Sequence, residues 1–357
     1  MSKRPSQFAF APRGLAGRRR LLTAAAGAGA LAAATGLGAR ALAAPPTVSQ
    51  AGSFDKITLS WNQSALCLSS SAVGLHDGIF RKHGLDVELI NFAGSTDLLL
   101  EAIATGKADA GTGMILRWLK PLEQGFDVKL TAGIHGGCSY LVTARNRNIN
   151  SIADLKGKTI GLADISGTNR NLYSIMAQNA GLDPEKDITW RAYPEDLLAP
   201  VLQRGEIDAY VAGDPMVYYQ IKNSGGELFR LASNATGPWE DRTCCVLGIG
   251  NHVIRNRRDV ARRLTLAQVE AAHKVYEDPA RAVEVALEYQ PRRREAARDD
   301  TIEQLKSLPH HDQPLGPAFR EQVLTYAREL KRAGVLAPRT DPVRYTDRII
   351  VDVTAPA

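Results

Sequence analysis

Four cysteines, Cys67, Cys138, Cys244 and Cys245, and the histidine His135 carry the strongest intrinsic chemistry in this chain. Thiolates and imidazole bind soft cations, and paired thiols close disulfides. All four cysteines fall in loops or at the ends of strand-like runs. No C-x-x-C spacing accompanies them, so no resident metal is expected, and one or two disulfides are the first reading. Cys244 and Cys245 are poor partners for each other, because a bridge between neighbours is strained. The sharper alternative is a soft-metal, thiol or cluster-type ligand held by Cys138, Cys244 and His135.

A second kind of chemistry lies at two helix starts, Gly94-Ser95-Thr96-Asp97 and Ser166-Gly167-Thr168-Asn169. Each places small polar residues ahead of a helical run. The first turn of a helix offers unpaired N–H groups and a partial positive charge, which together suit an anion. Ordinary capping explains the same residues without any ligand. Arg170 could add a charge-assisted bond to a carboxylate or sulfonate; a place on a solvated helix face is the plainer reading. No nucleophile elbow, Walker loop, HExxH or glycine-rich dinucleotide motif is present, so the expectation is binding without turnover and without a cofactor.

The elements that must position these residues are α/β in pattern. Residues 74–114 read as helix, strand, helix and short strand, each closed by glycine. Residues 62–71 read as a serine-rich loop. Ile103-Ala104-Thr105-Gly106-Lys107-Ala108-Asp109-Ala110 has a counterpart in Leu202-Gln203-Arg204-Gly205-Glu206-Ile207-Asp208-Ala209. Two related units imply two lobes, and ligands prefer the cleft between domains. In open α/β sheets the ligand lies beyond the carboxyl ends of the strands. That rule selects Gln63, Ser64, Ser95, Thr96 and Thr112, and again His135, Gly136 and Cys138 after a strand over 128–134. Residues 140–143 and 244–250 should be the two passages between lobes. Trp61 and Tyr140 could hold an apolar part of a ligand, whereas Trp118 and Trp190 read as core. The last hundred residues are mostly amphipathic helix, expected to pack on the first lobe.

Residues 1–43 read as an export leader. Arg18-Arg19-Arg20-Leu21-Leu22 follows the twin-arginine pattern, an alanine-rich apolar run follows, and Ala41-Leu42-Ala43 suits cleavage before Ala44. Of the chain's 44 basic residues, seven lie in this leader with no acidic residue, leaving 37 basic against 38 acidic in the remainder. The basic balance therefore belongs to the export signal and gives no reason to expect nucleic-acid binding.

The run GLHDGIFRKHGLDVEL, the Gly-Ser helix start, TGKADAG, and SIADLKGKTIGLADISGTNRN together resemble the nitrate/sulfonate/taurine-type solute-binding proteins of ABC importers. Binders of pyrimidine precursors of thiamine belong to the same wider family. The resemblance implies a two-lobed periplasmic-binding-protein fold of type II, each lobe a mixed sheet flanked by helices, hinged on two crossing strands. It implies a linker over 44–54, a first lobe over 55–142, a second over 143–247, a return over 248–350 and a tail over 351–357. It places Gly167, Thr168, Asn169 and Asp214 at the cleft. It further implies a small anionic solute, a permease and ATPase in the inner membrane, and a monomer in the periplasm. Some relatives are pyrimidine-precursor synthases with a cysteine-rich iron motif; this chain has only Cys244-Cys245 in that role, which counts against an enzyme.

Overall fold

The structure, a computed structural model, describes residues 54–92, 96–289, 298–309 and 313–356. The expected leader, most of the linker, and Ser95 lie outside the described residues. The first domain opens with β1 (Asp55–Trp61), α1 (Ser69–His76), α2 (Ile79–Lys82) and β2 (Leu85–Asn91), then α3 (Thr96–Ala104), β3 (Ala110–Met114), α4 (Ile115–Glu123) and β4 (Val128–His135). The second holds β5 (Ser139–Ala144), β6 (Lys158–Leu162), α5 (Thr168–Asn179), β7 (Ile188–Ala192), α6 (Leu198–Arg204), β8 (Ala209–Gly213), α7 (Met216–Lys222) and β9 (Leu228–Ser233). The chain returns as β10 (Cys245–Gly250), followed by α8 (Asn251–Asn256), α9 (Arg258–Glu277), α10 (Pro279–Glu288), α11 (Arg298–Lys306), α12 (Gly316–Arg332) and α13 (Pro342–Ile349).

The two sheets have one topology. Their orders are β2-β1-β3-β10-β4 and β7-β6-β8-β5-β9. In each, three strands run parallel, and the fourth lies antiparallel to both its neighbours. That antiparallel strand is in each case the first one laid down after the chain passes between domains.

The repeated octapeptides explain the matching registers. In the first, the Asp109 carboxylate accepts from Thr58 N at 2.8 Å, and Asp109 N donates to Thr58 O at 2.9 Å. In the second, Asp208 accepts from Thr159 N at 2.8 Å, and its own N–H donates to Thr159 O at 2.8 Å. Ala110 thus pairs with Leu59, and Ala209 with Ile160. Gly106 and Gly205 both take positive φ, 74° and 83°, where the chain leaves a helix. A side chain at these positions would be strained, so glycine is the residue that makes the turn.

Three expectations need correction. The serine-rich stretch is not all loop: Ser69, Ser70 and Ser71 begin α1 and are buried. Serine is a modest helix former, but here it packs under α9, where Gln268 Nε2 donates to Ser70 Oγ at 2.9 Å. The passages between domains fall at 136–138 and 234–244 rather than at 142/143 and 247/248, because β5 belongs wholly to the second sheet and β10 wholly to the first. The C-terminal helices do not all stay on the first domain, since α12 packs against β4 and also α5. Among the described residues no helix is long and apolar enough to cross a membrane.

Candidate functional site

The two passages are fastened together. Cys244 N donates to His135 O at 2.8 Å, and Asn234 N donates to Ser139 O at 3.2 Å. The Asn234 side chain accepts from Ser139 N at 2.8 Å. Between them Gly137 sits so close that a Cβ there would lie 1.9 Å from the Asn234 carbonyl oxygen. Only glycine allows this approach of one backbone to another.

Around this crossing the four cysteines meet. Cys67 arrives on a 3-10 turn, Leu66–Leu68, that follows β1. Cys138 closes the outward passage, Cys244 ends the return, and Cys245 opens β10. The Cys67 and Cys138 sulfurs are 3.8 Å apart. Donor atoms of Cys67, His135 and Cys138 all lie within 4.8 Å of one another, as do those of His135, Cys244 and Cys245. All four cysteines are free, so the expected disulfides are not formed. Leu68, Ala65 and Met114 pack around the sulfurs. His135 is 3 % exposed, and neither ring nitrogen has a hydrogen-bond partner.

Charge is shared unevenly in this group. The Cys138 thiol donates to Cys67, and the neighbouring thiols, Cys138 first, hold Cys67 and Cys244 well below the usual thiol range. Cys138 and Cys245 are pushed up correspondingly. Burial works against a charge on His135, but the thiolates of Cys67 and Cys244 outweigh it and raise the imidazolium to about 9.

A second cluster lies at the start of α5. Gly167 is the N-cap and contributes no side-chain bond, so the first amides of this twelve-residue helix are uncapped. Thr168 is buried and its hydroxyl has no partner. Asn169 accepts from Ser139 Oγ at 2.7 Å. From the first domain, Arg117 on α4 reaches across: Nε donates to Asp97 Oδ1 at 2.7 Å, Nη1 donates to Ser166 O, and Asp164 lies 3.5 Å away. Asn171 Nδ2 donates to Leu116 O at 3.0 Å beside it. The head of α3, where Asp97 sits, and the head of α5 are therefore joined through one guanidinium. A groove of about 410 Å³ runs along this seam, lined by Arg117, Ser166 and Asn171 among others.

The other expected residues are placed as follows. Thr112 on β3 is buried with an unpartnered hydroxyl. Gln63 is half-buried and Ser64 exposed, on the turn that leads to Cys67. Thr96 opens α3. Gly136 lies in the outward passage. Arg170 is engaged within the second domain. Its guanidinium lies 4.2 Å from the Trp190 ring centre and donates to Glu185 at 2.6 Å and to Ser174. Trp190 is half-buried beneath Arg170 and packs against the edge of the core.

Asp214 is nine-tenths buried at its side chain and has two partners, Tyr218 N at 3.0 Å and Arg230 Nη2 at 3.2 Å. Arg230 in turn lies over Tyr140, 3.9 Å from the ring centre. Arg117 and Arg230 were not singled out by sequence; each is a lone arginine in an ordinary context. Burial raises the Asp214 carboxyl above its usual range, and Arg230 only partly opposes this. Such a group contributes stability that is present below the unfolded pKa and is lost as pH rises through the folded one. Asp214→Asn should therefore gain on the wild type between acid and neutral pH. Melting curves at pH 3.5 and pH 7 check this: the difference between variant and wild type should move in the variant's favour at pH 7.

The same fold recurs in solved structures. The alkanesulfonate-binding protein SsuA from Xanthomonas axonopodis pv. citri, bound to MOPS, superposes with a TM-score of 0.66 at 16% identity, over 85% of this chain and 100% of that one. The periplasmic nitrate-binding protein NrtA from Synechocystis PCC 6803 gives 0.62 at 13% identity, over 83% and 86%. Among curated sequences, the tetrathionate sensor histidine kinase TtrS of Salmonella typhimurium is 33% identical over 99 residues, 27% of this chain and 16% of that protein. The chain spans less than half the length of the curated relatives it matches. The architecture is that of the periplasmic solute-binding proteins of ABC import systems. A family model described as "NMT1/THI5 like" matches residues 71–282, more than half of the sequence, and the chain belongs to that family.

Proposed function

We propose that this protein captures a small anionic solute, an aliphatic sulfonate or a nitrate-like anion, between its two domains and delivers it to an ABC permease with its ATPase in the inner membrane. It does so in the periplasm, after export and removal of the leader before Ala44, and it catalyses no reaction. The observation that carries this reading is the head of α5. A buried threonine hydroxyl without a partner stands beside uncapped amides, at a seam that the other domain closes through Arg117. An unpaired buried hydroxyl costs stability, which a bound acceptor would recover. The sulfonate- and nitrate-binding structures of the same fold favour that solute class over a neutral heterocycle.

Thr168→Val gives a selective test, because it keeps the shape and removes only the hydroxyl. Calorimetry against taurine, longer alkanesulfonates, nitrate and an aminopyrimidine should show heat with one of the anions. The variant should bind that anion about tenfold more weakly or worse, the scale of one hydrogen bond to a charge. Its melting temperature should not fall, since no native bond is lost. Heat only with the neutral pyrimidine would replace the anion by a pyrimidine precursor.

A further inference from the structure

We propose that Cys67, Cys138, Cys244 and Cys245, gathered in two pairs about His135 where the two passages cross, form a cysteine-rich site for one soft d10 cation, Zn(II) or Cu(I). The sulfurs belong to three separate segments: the turn after β1, the outward passage and the return. Nothing local in the chain requires them to meet. In a tetrahedral thiolate site with metal–sulfur bonds of about 2.3 Å, neighbouring sulfurs lie about 3.8 Å apart. Cys67 and Cys138 are separated by 3.8 Å. The donor atoms of Cys67, His135 and Cys138 lie within 4.8 Å of one another, and so do those of His135, Cys244 and Cys245, so the two pairs of cysteines meet at one imidazole. That separation of Cys67 and Cys138 fits two ligands of one ion; an iron–sulfur cube needs its cysteines held wider apart.

His135 supplies the second observation. It is fully enclosed, both its nitrogens lack hydrogen-bond partners, and it has a ring nitrogen within 4.8 Å of the sulfurs of each cysteine pair. A ring nitrogen there can donate to a metal-bound thiolate and offset part of the charge that four thiolates gather. Thiolate donors select Zn(II) and Cu(I) over harder cations. Cys67 and Cys138 are only half-buried, which leaves an ion a way in. The bound ion would tie both passages to the first domain. Cation binding here is independent of anion capture at α5, so either can fail alone.

The test uses the full-length exported protein, reduced, stripped of metal by a chelator and kept anaerobic. Zn(II) and Cu(I) are titrated in separate arms against chromophoric competitors, with native mass spectrometry for stoichiometry. Co(II) serves as the spectroscopic probe. One equivalent should bind in at least one arm, and the arm that binds identifies the ion. Co(II) should show thiolate charge-transfer bands and the strong visible bands of a tetrahedral site. Cys67→Ser and Cys138→Ser should each weaken binding at least a hundredfold, and His135→Gln about tenfold. In the unmutated protein, bound metal should protect all four thiols from iodoacetamide, a readout that needs no variant. The proposal is overturned by no stoichiometric binding in either arm, by unchanged affinity in both serine variants, or by alkylation that metal does not slow. It is also overturned if the chain isolated without reductant holds these cysteines as disulfides that persist when metal is supplied with reductant.

Discussion

Gly137→Ala should leave little or no folded protein. The added methyl would lie 1.9 Å from the Asn234 carbonyl oxygen and 2.2 Å from its carbon. Both are backbone atoms of the return passage, pinned by the Ser139–Asn234 bonds and by Cys244 N to His135 O. A flexible side chain could turn aside, but a backbone held on two sides has to move as a unit. Overpacking of a core ordinarily costs about 1–3 kcal/mol, and a clash this deep with fixed backbone belongs at or above the upper end. Marginal domains tolerate little more than that. Soluble yield and a urea midpoint for any recovered protein are the measurements. A midpoint within error of wild type would show that the passages are not in contact at Gly137.

Trp118→Ala is the second large effect. The indole is fully buried, and the backbone makes room for it at two glycines. A Cβ on Gly113 would stand 2.3 Å from its ring, and one on Gly248 2.7 Å away. Gly113 lies on β3 and Gly248 on β10, strands paired side by side in the first sheet. Trp118 thus plugs a slot that two strands leave open, within a core that continues to Leu141 and Leu172 of the second domain. Truncation should cost about 3–5 kcal/mol, because the rigid walls cannot collapse onto the space. Gly113→Ala alone should also destabilise. Combined with Trp118→Ala it should cost far less than the sum, since the new methyl enters the vacated slot. Urea denaturation of the two single variants and the double variant measures this coupling.

The parts of the fold that sequence showed are those fixed by neighbours along the chain. The octapeptides 103–110 and 202–209 foretold two matching units because each carries its own helix stop, its turn glycine and the aspartate that locks the next strand. Gly167 and Thr168 could be read as a helix start for the same local reason. What sequence left open depends on distance in three dimensions. Cys67 and Cys138 are 71 residues apart, yet their sulfurs touch. Spacing rules for metal motifs are written for ligands a few residues apart, and they pass over a site assembled from three segments. The contacts of Arg170 could not be read because a helical side chain's heading is set by what surrounds the helix, here Glu185 and Trp190. The buried serines of α1 were read as loop because their propensity is weak, whereas Gln268 and the close approach of α9 decide the outcome.

Hydrogen exchange resolved to single amides, recorded with and without the best-binding anion, puts the central claim to its most direct trial. Solute held by the open end of α5 should slow exchange at Thr168, Asn169 and Arg170 at least tenfold, because these first-turn amides have no helical acceptor of their own. Saturating anion that leaves those three amides exchanging at their unliganded rates, while binding is verified in the same sample, would contradict capture at this helix.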